Sequence, residues 1–309
     1  MKHVAISLLN FNGKNNTLDC LKSLENIRKM NFESSIIVID NASVDGSVES
    51  IKQYISNGKH DGIKIIENKK NLGFSGGHNV AIKYAFESGA DYILVLNNDT
   101  YVDHNFLKEL LIIAEEDNNI GILVPKIYFA PGFEYHKDRY SKSEIGKVLW
   151  YAGGEMDWAN VIGHNRGVDI VDKRQFDNAE ETELATGCCM MIKREVFDKV
   201  GMFDDKYYLY YEDADLTMRT KRKGFKVVYV PGSIIWHKNA GSAGGSGSVL
   251  QDYYITRNRL LFGFRYAPVR SKLALFRESI SLLLGGRQWQ KRGVADFYLG
   301  RMGKGSYKI

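Results

Sequence analysis

The chain has 309 residues, 44% of them hydrophobic, with 18 Tyr and 15 Phe but only 4 Pro. It can bury a sizeable core as one large domain with an appendage or as two modest domains, and its composition excludes a disordered chain and a sandwich built on many Pro-marked turns. The net charge of +5 is unevenly placed: from Arg257 to Ile309 twelve Lys or Arg stand against Glu278 and Asp296, a local +10 against −5 for the remainder.

The run Met1 to Leu9 carries one Lys and no cleavage site. It is too brief to span a bilayer and predicts a buried first strand. Apolar strands then alternate with helical stretches: His3 to Leu9 before Asn16 to Arg28, Ser35 to Ile39 before Gly46 to Ile55, Lys64 to Glu67 before Gly77 to Ser88, and Tyr92 to Leu96 before Asn105 to Glu116. This predicts an α/β fold with a mostly parallel central sheet flanked by helices, whose ligands gather at the carboxyl ends of the strands. Polar or glycine-rich clusters stand at those ends: Asn10 to Gly13, Asp40 to Ser47, Asn71 to Asn79, and Asn97 to Asp99. Any one alone is a turn. Their recurrence at successive strand ends points to a site.

From about Ile122 to Ala185 the alternation lapses, and Phe129 to Asp157 reads as an inserted lobe. Regularity resumes with Glu183 to Lys193, a helix Arg194 to Val200, an acidic cluster Tyr210 to Asp215 leading a helix through Lys223, and a strand Lys226 to Val230. Trp236-His237 and the Gly/Ser-rich run Asn239 to Ser248 follow, and that run predicts a mobile loop. In the basic tail, Leu260 to Phe264, Leu273 to Phe276 and Ile280 to Leu284 are interleaved with Arg265, Arg270, Lys272, Arg277 and Arg287. The pattern suits an amphipathic segment at an anionic membrane surface, and equally a helix packed on the domain with a solvated basic face. No recognition motif accompanies these charges, which argues against nucleic acid. Cys20, Cys188 and Cys189 are odd in number and lack C-x-x-C spacing, which suits a reducing cytoplasm.

Several of these residues have a shared chemistry. A nucleotide diphosphate leaving group needs its charge neutralised, and a divalent cation, Mn²⁺ or Mg²⁺, held by one or two carboxylates does so without proton transfer. Asp99, after the strand Tyr92 to Leu96, is the natural ligand, with Asn97 and Asn98 placed for ribose or for the turn; capping the next helix is its structural alternative. His237 is an acceptable ligand for Mn²⁺, or an ordinary hydrogen-bonded histidine. Asp213, among Glu212, Asp213 and Asp215 at a helix start, is the candidate general base, because dipole stabilisation explains only one or two of three crowded acids. Asp40 can accept the N3 proton of a pyrimidine, while Asn41 and Ser43 satisfy ribose or backbone groups. The loop Asn71 to Asn79 opens a helix, so its amides could face phosphate or sugar. It is not a G-x-G-x-x-G fingerprint.

In combination, Asp40-Asn41-Ala42-Ser43-x-Asp45-Gly46-Ser47, Asn71-Leu72-Gly73-Phe74-Ser75-Gly76-Gly77-x-Asn79, Leu96-Asn97-Asn98-Asp99, Thr186-Gly187, Tyr211-Glu212-Asp213-Ala214-Asp215-Leu216 and Trp236-His237 resemble the family 2 glycosyltransferases of the GT-A fold, particularly the bacterial rhamnosyltransferase-like branch. The match runs over roughly Val4 to Arg259. The resemblance implies an inverting transferase with Asp213 as base, Asp99 as the metal-binding end of a D-x-D-type motif, and His237 on metal or diphosphate. It implies a donor side of Asn10, Asn12, Asp40, Asn41, Ser43, Asn71, Gly73, Gly76, Gly77, Asn79, Asn97 and Asn98, and an acceptor side of Thr186, Gly187 and Glu212. A dTDP- or UDP-sugar, with dTDP-rhamnose foremost, would be the donor, and a glycan or lipid-linked intermediate at the inner membrane face the acceptor. Asn97 and Asn98 depart from the fuller acidic motif, which implies modest metal affinity.

The expected layout is a transferase domain over 1–256, with a nucleotide-sugar half to about 121 and an acceptor half from 122, followed by a basic extension over 257–309. Two alternatives stay open on the sequence. A nucleotidyltransferase would need a glycine-rich basic loop after the first strand, where Asn10-Phe11-Asn12-Gly13 has one glycine. A non-catalytic saccharide-binding module would be expected to have lost Asp99 or Asp213, and both are present.

Overall fold

Strands whose residues are apolar without alternation need cover on both faces, and helices supply it here. A computed structural model describes residues 1–28, 31–58, 62–239 and 248–308. Four parallel strands, β1 (Lys2–Asn10), β2 (Phe32–Asp40), β3 (Ile63–Glu67) and β4 (Tyr92–Asn97), are linked by α1 (Lys14–Glu25), α2 (Ser47–Gly58) and α3 (Gly73–Glu87). Then come β5 (Thr100–Val102), α4 (Phe106–Glu116), β6 (Ile120–Phe129), β7 (Leu149–Tyr151), β8 (Gly154–Asp157), β9 (Ile162–Asn165), β10 (Glu180–Glu181), β11 (Cys189–Lys193), α5 (Arg194–Val200), α6 (Glu212–Arg222) and β12 (Lys226–His237). The chain ends in α7 (Val249–Tyr266), α8 (Val269–Gly285) and α9 (Gln288–Tyr298).

Ten strands form one sheet in the order β10-β12-β6-β11-β4-β1-β2-β3, with β5 on β12 and β7 on β6. β11 is antiparallel to both its neighbours, so β6 and β12 run in the same direction as β1 to β4. The carboxyl ends of six strands therefore share one edge. Ile93, Leu94, Val95 and Leu96 of β4 are fully enclosed, each contributing about 1.5–3 kcal/mol of apolar burial. Helix α3 lies close on β1 because Gly77 has no side chain; a Cβ there would come within 2.3 Å of Leu9 Cδ1.

Two sequence expectations are corrected. The alternation was expected to lapse from Ile122, yet Ile120–Phe129 is a central strand buried along its whole length. Lys126 sits inside it because its ammonium meets Asp172 at 2.8 Å and Asp177 at 2.6 Å. The last strand, expected to stop at Val230, continues to His237 across an irregularity between Val230 and Ile234 that lets it follow β6 to its end. Of the run expected to be a mobile loop, residues 240–247 lie outside the described residues.

The basic tail is packed helix on its inner side. Arg259 forks onto Glu278 at 2.7 and 2.9 Å, and Arg265 joins Asp204 and Asp215 at 2.8 and 3.1 Å. Helix α8 buries Ser271, Leu275 and Ser279 and leaves Val269, Leu273, Phe276, Ile280, Leu283 and Leu284 exposed. Among the described residues no helix is long and apolar enough to cross a membrane.

Candidate active site

The ends of β1, β2 and β4 carry a mutually satisfied polar network. Register places Asn10 beside Asp40. Asn10 Nδ2 donates to Asp40 Oδ2 at 2.7 Å and to Ser43 Oγ at 3.0 Å, and its Oδ1 accepts from Thr17 at 2.7 Å. Asp40 also accepts the Ser43 amide at 2.9 Å, and Asn98 donates to Thr17 at 2.8 Å. Asn12 bridges the same turn: its amide donates to Ser43 Oγ and its side chain accepts from Val44. Asn41 holds the next loop, donating to Asn71 Oδ1 and the Gly73 carbonyl and accepting from Asn68.

The glycine-rich loop divides. Asn71 caps the Gly73 amide at 2.8 Å. Gly73, at φ +73°, admits the Tyr208 carbonyl to 2.4 Å from where a Cβ would stand. Gly76 and Gly77 give room to Leu72 and Leu9. Asn79, expected on the donor side, instead spends its amide on Phe203 and Asp205 of a distant loop.

Asp99 and His237 are brought together because β5, directly after Asp99, pairs with the end of β12, setting Thr100 opposite His237. Asp99 Oδ1 and His237 Nε2 lie 3.1 Å apart, both groups buried. The Lys238 amide donates to the Asp99 carbonyl at 2.9 Å. His237 Nδ1 is buried without a partner, and Trp150 of β7 packs edge-on to its ring at 4.7 Å. Among the described residues no group of three or more His, Cys, Asp or Glu is arranged to hold a metal ion by itself. Burial, then the neighbouring Asp99 charge, pushes the Cys188 thiol well up.

The three acids at the start of α6 part company. Asp213, half-buried, accepts the Gly187 amide at 2.8 Å and the Ala214 amide at 2.8 Å. Burial raises its carboxyl above the ordinary range, and these amides pull it part of the way back. Asp215 is structural: it takes Arg219, Arg265, Tyr207 and Tyr266. Glu212 is buried, its Oε2 has no partner, and burial followed by the Asp213 charge drives its carboxyl well up. Thr186 bonds its hydroxyl to the Cys188 amide at 3.3 Å. The next step joins the two halves of the edge: Cys188, beside Gly187, accepts the Asn97 amide at 2.8 Å, two residues before Asp99.

Residues 6–201 match the family described as glycosyl transferase family 2. The chain belongs to that family. It is 26% identical over 211 residues to the low-salt glycan biosynthesis hexosyltransferase Agl10 of Haloferax volcanii, covering 67% of this chain and 61% of that one. It is 26% identical over 219 residues to an N-acetylglucosaminyl-diphospho-decaprenol L-rhamnosyltransferase of Mycobacterium tuberculosis, covering 68% of each. The chain thus spans about three fifths of the first relative and two thirds of the second. A mannosyltransferase of Pyrobaculum calidifontis, solved with GDP-Man and Mn²⁺, superposes with a TM-score of 0.58 at 13% identity, over 98% of this chain and 76% of that one. The architecture of this family member is the GT-A fold.

Some residues of the candidate site escape a sequence reading. Trp150 lies in the irregular lobe, and only the pairing of β7 with β6 carries it to His237. Lys238, fixed by Asn16 and Asp19 of α1 at 3.1 and 2.9 Å, holds the strand end after His237; its adjacency to His237 was the one available signal.

Proposed function

We propose that the chain is an inverting transferase that moves a sugar from a nucleotide-diphosphate sugar to a hydroxyl of a glycan or lipid-linked acceptor in cell-surface polysaccharide synthesis. The observation that carries this is the bridge along one sheet edge: Gly187 holds Asp213, and the adjacent Cys188 carbonyl takes the strand end that bears Asp99. Asp213 accepts the proton of the acceptor hydroxyl as its oxygen bonds to the anomeric carbon. The bond from that carbon to the diphosphate oxygen breaks on the opposite face, and the electron pair leaves with the nucleotide. One base and no carboxylate nucleophile give inversion.

The donor half, about 1–121, presents Asn12, Ser43 and Asn98 toward ribose and diphosphate. Asp40 uses two acceptor positions of the roughly four a carboxylate has, which leaves capacity for a base N–H. It is 1% exposed, so a base reaches it only when the Ser43 turn opens. That turn is already strained, with Ala42 at φ 66°. Residues 122–256 supply Thr186, Gly187 and Glu212 on the acceptor side.

Asp99 and His237 fit a divalent cation: one carboxylate and one imidazole lie close enough to be neighbouring ligands, and few protein ligands suit an ion that also takes phosphate oxygens and water. When bound, the cation neutralises the leaving diphosphate. The mycobacterial relative's name supports L-rhamnose as the transferred sugar, for which dTDP-rhamnose would be the donor, and a lipid-linked acceptor. The extension over 257–309 supports attachment to the inner, anionic membrane face through α8, whose exposed apolar stripe is flanked by Arg270, Arg277 and Lys272.

Calorimetric titration with UDP, dTDP, GDP and CDP, with Mn²⁺ and again with EDTA, tests the function. Metal-dependent selection of dTDP or UDP is expected; binding of none of the four overturns the donor site.

A further inference from the structure

The five residues before the acid cluster are unusual. Tyr208, Tyr210 and Tyr211 have φ of 65°, 68° and 72°, a left-handed backbone that bulky residues avoid. Such a turn persists only where its surroundings over-determine it. Here every carbonyl from Lys206 to Tyr211 accepts a hydrogen bond. The Tyr208 carbonyl takes the Phe74 amide at 2.7 Å and the Tyr211 carbonyl takes the Asp215 amide at 2.9 Å. Lys206, Tyr207, Leu209 and Tyr210 are held by two consecutive residues of α7. Asn258 Nδ2 donates to the carbonyls of Tyr207, Leu209 and Tyr210 at 2.8, 2.7 and 2.8 Å. Arg257 Nη2 donates to Lys206 and Tyr207 at 3.2 and 3.0 Å, and Nη1 to Gly303 at 2.7 Å.

The two side chains act as a unit. Arg257 Nε donates to Asn258 Oδ1 at 3.0 Å, which turns the amide nitrogen toward the loop. Arg257 is fully buried, its guanidinium packed on the rings of Tyr253 and Tyr254, and Tyr254 stacks on Tyr208 of the strained turn. Arginine suits this place because its fork of five donors can serve several carbonyls at once.

We propose that Arg257 and Asn258 are positioning residues: they hold the strained turn 207–211, which sets Asp213 in register with both the Gly187 amide and the start of α3. This rests on the assignment of Asp213 as base. The twelve positive charges of the tail thus include one with an internal task.

The test uses the full chain, with transfer read as nucleoside diphosphate released from whichever of dTDP-L-rhamnose, UDP-N-acetylglucosamine and GDP-mannose it binds. Asn258→Ala is expected to lose about a hundredfold in kcat, with donor KM and the stoichiometry of nucleotide binding near wild type. Hydrogen exchange by mass spectrometry should quicken in residues 206–216 and around Gly187 and stay unchanged in α8 and α9. Arg257→Lys, which keeps the charge but not the fork, should lose about tenfold in kcat, and it carries the same test if Asn258→Ala does not fold. A kcat per nucleotide-binding site within about threefold of wild type, or exchange that quickens throughout α7 to α9, overturns the proposal by reducing the pair to general stabilisation. Asp213→Asn is run alongside. If that variant turns over like wild type the base assignment fails, while the exchange data still decide whether the pair holds the turn.

Discussion

Around Asp40, polar side chains from neighbouring strand ends satisfy one another: Asn10 reaches Asp40, Ser43 and Thr17, and Asn98 reaches Thr17. Around Asp213 the only donors to the carboxylate are two backbone amides, those of Gly187 and Ala214, and the buried Glu212 beside it has an oxygen with no partner among the described residues. A closed network of neutral amides and one carboxylate is unreactive, which suits recognition. Acids buried with too few donors hold their protons more tightly, which suits proton transfer near neutral pH. The same residue types, arranged with and without sufficient partners, would under the proposed function give a binding half and a reacting half.

The largest effect should come from the reacting half. Asp213→Asn is expected to lower kcat about a thousandfold while calorimetry shows nucleotide binding retained; equal loss of both would put Asp213 in the binding half. Because burial raises the Asp213 carboxyl and the base must be deprotonated, wild-type kcat should fall with acid above the ordinary aspartate range of about 4. An acid limb at or below that value would remove the contrast between the halves.

The extension beyond the reacting half carries the outward face of α8. Replacing Arg270 and Arg277 together by Ala should weaken co-sedimentation with vesicles containing phosphatidylglycerol by roughly thirtyfold, from about 1 kcal/mol per basic residue at such a surface, and leave phosphatidylcholine vesicles unaffected. Wild-type protein that ignores both vesicle types would make α8 a solvated helix. In the binding half, Asp99→Ala should weaken nucleotide binding on the order of tenfold in Mn²⁺ and change little in EDTA; equal responses would remove Asp99 from the metal.

The smallest effect is on stability. Glu212 holds its proton more tightly folded than unfolded, so the native state binds more protons above the unfolded value of about 4.3, and stability falls as pH rises from there toward the folded value. Glu212→Gln removes that dependence. Its melting temperature relative to wild type should be lowest near pH 4 and climb toward pH 8, and a constant difference would mean that Glu212 is ionised in the fold.

The strand ends were legible because period and punctuation coincide: β1 to β4 each run into Asn, Asp or Gly, and Asn10, Asp40 and Asn98 do meet. The pairing of Asp99 with His237 was inferred from chemistry, although they stand 138 positions apart. What failed depended on distant partners. Lys126 disguised β6, since the carboxylates that neutralise it lie 46 and 51 residues on. Asn79 was read with its loop, but the amide serves Phe203 and Asp205. The acid cluster could be seen to hold too many charges, yet which acid was which depended on Gly187 before it and Arg265 after it. Arg257 and Asn258 were invisible as a clamp, because a basic residue in a basic tail gives no sign of being buried.

The antiparallel strand β11 bears on how the molecule is made. Among the described residues it is the only strand between β4 and β6 in the sheet order, yet it is translated after both. A nascent chain can assemble β1 to β4 with their helices from nearby contacts, but the sheet stays in two pieces until residues 189–193 enter the gap. Long-range insertions of this kind are slow, and the edges they leave open invite aggregation. The sheet edge that carries both Asp99 and the Gly187 partner of Asp213 is therefore among the last features to form, and a ribosome-bound chain shorter than β11 carries Asp99 without Asp213.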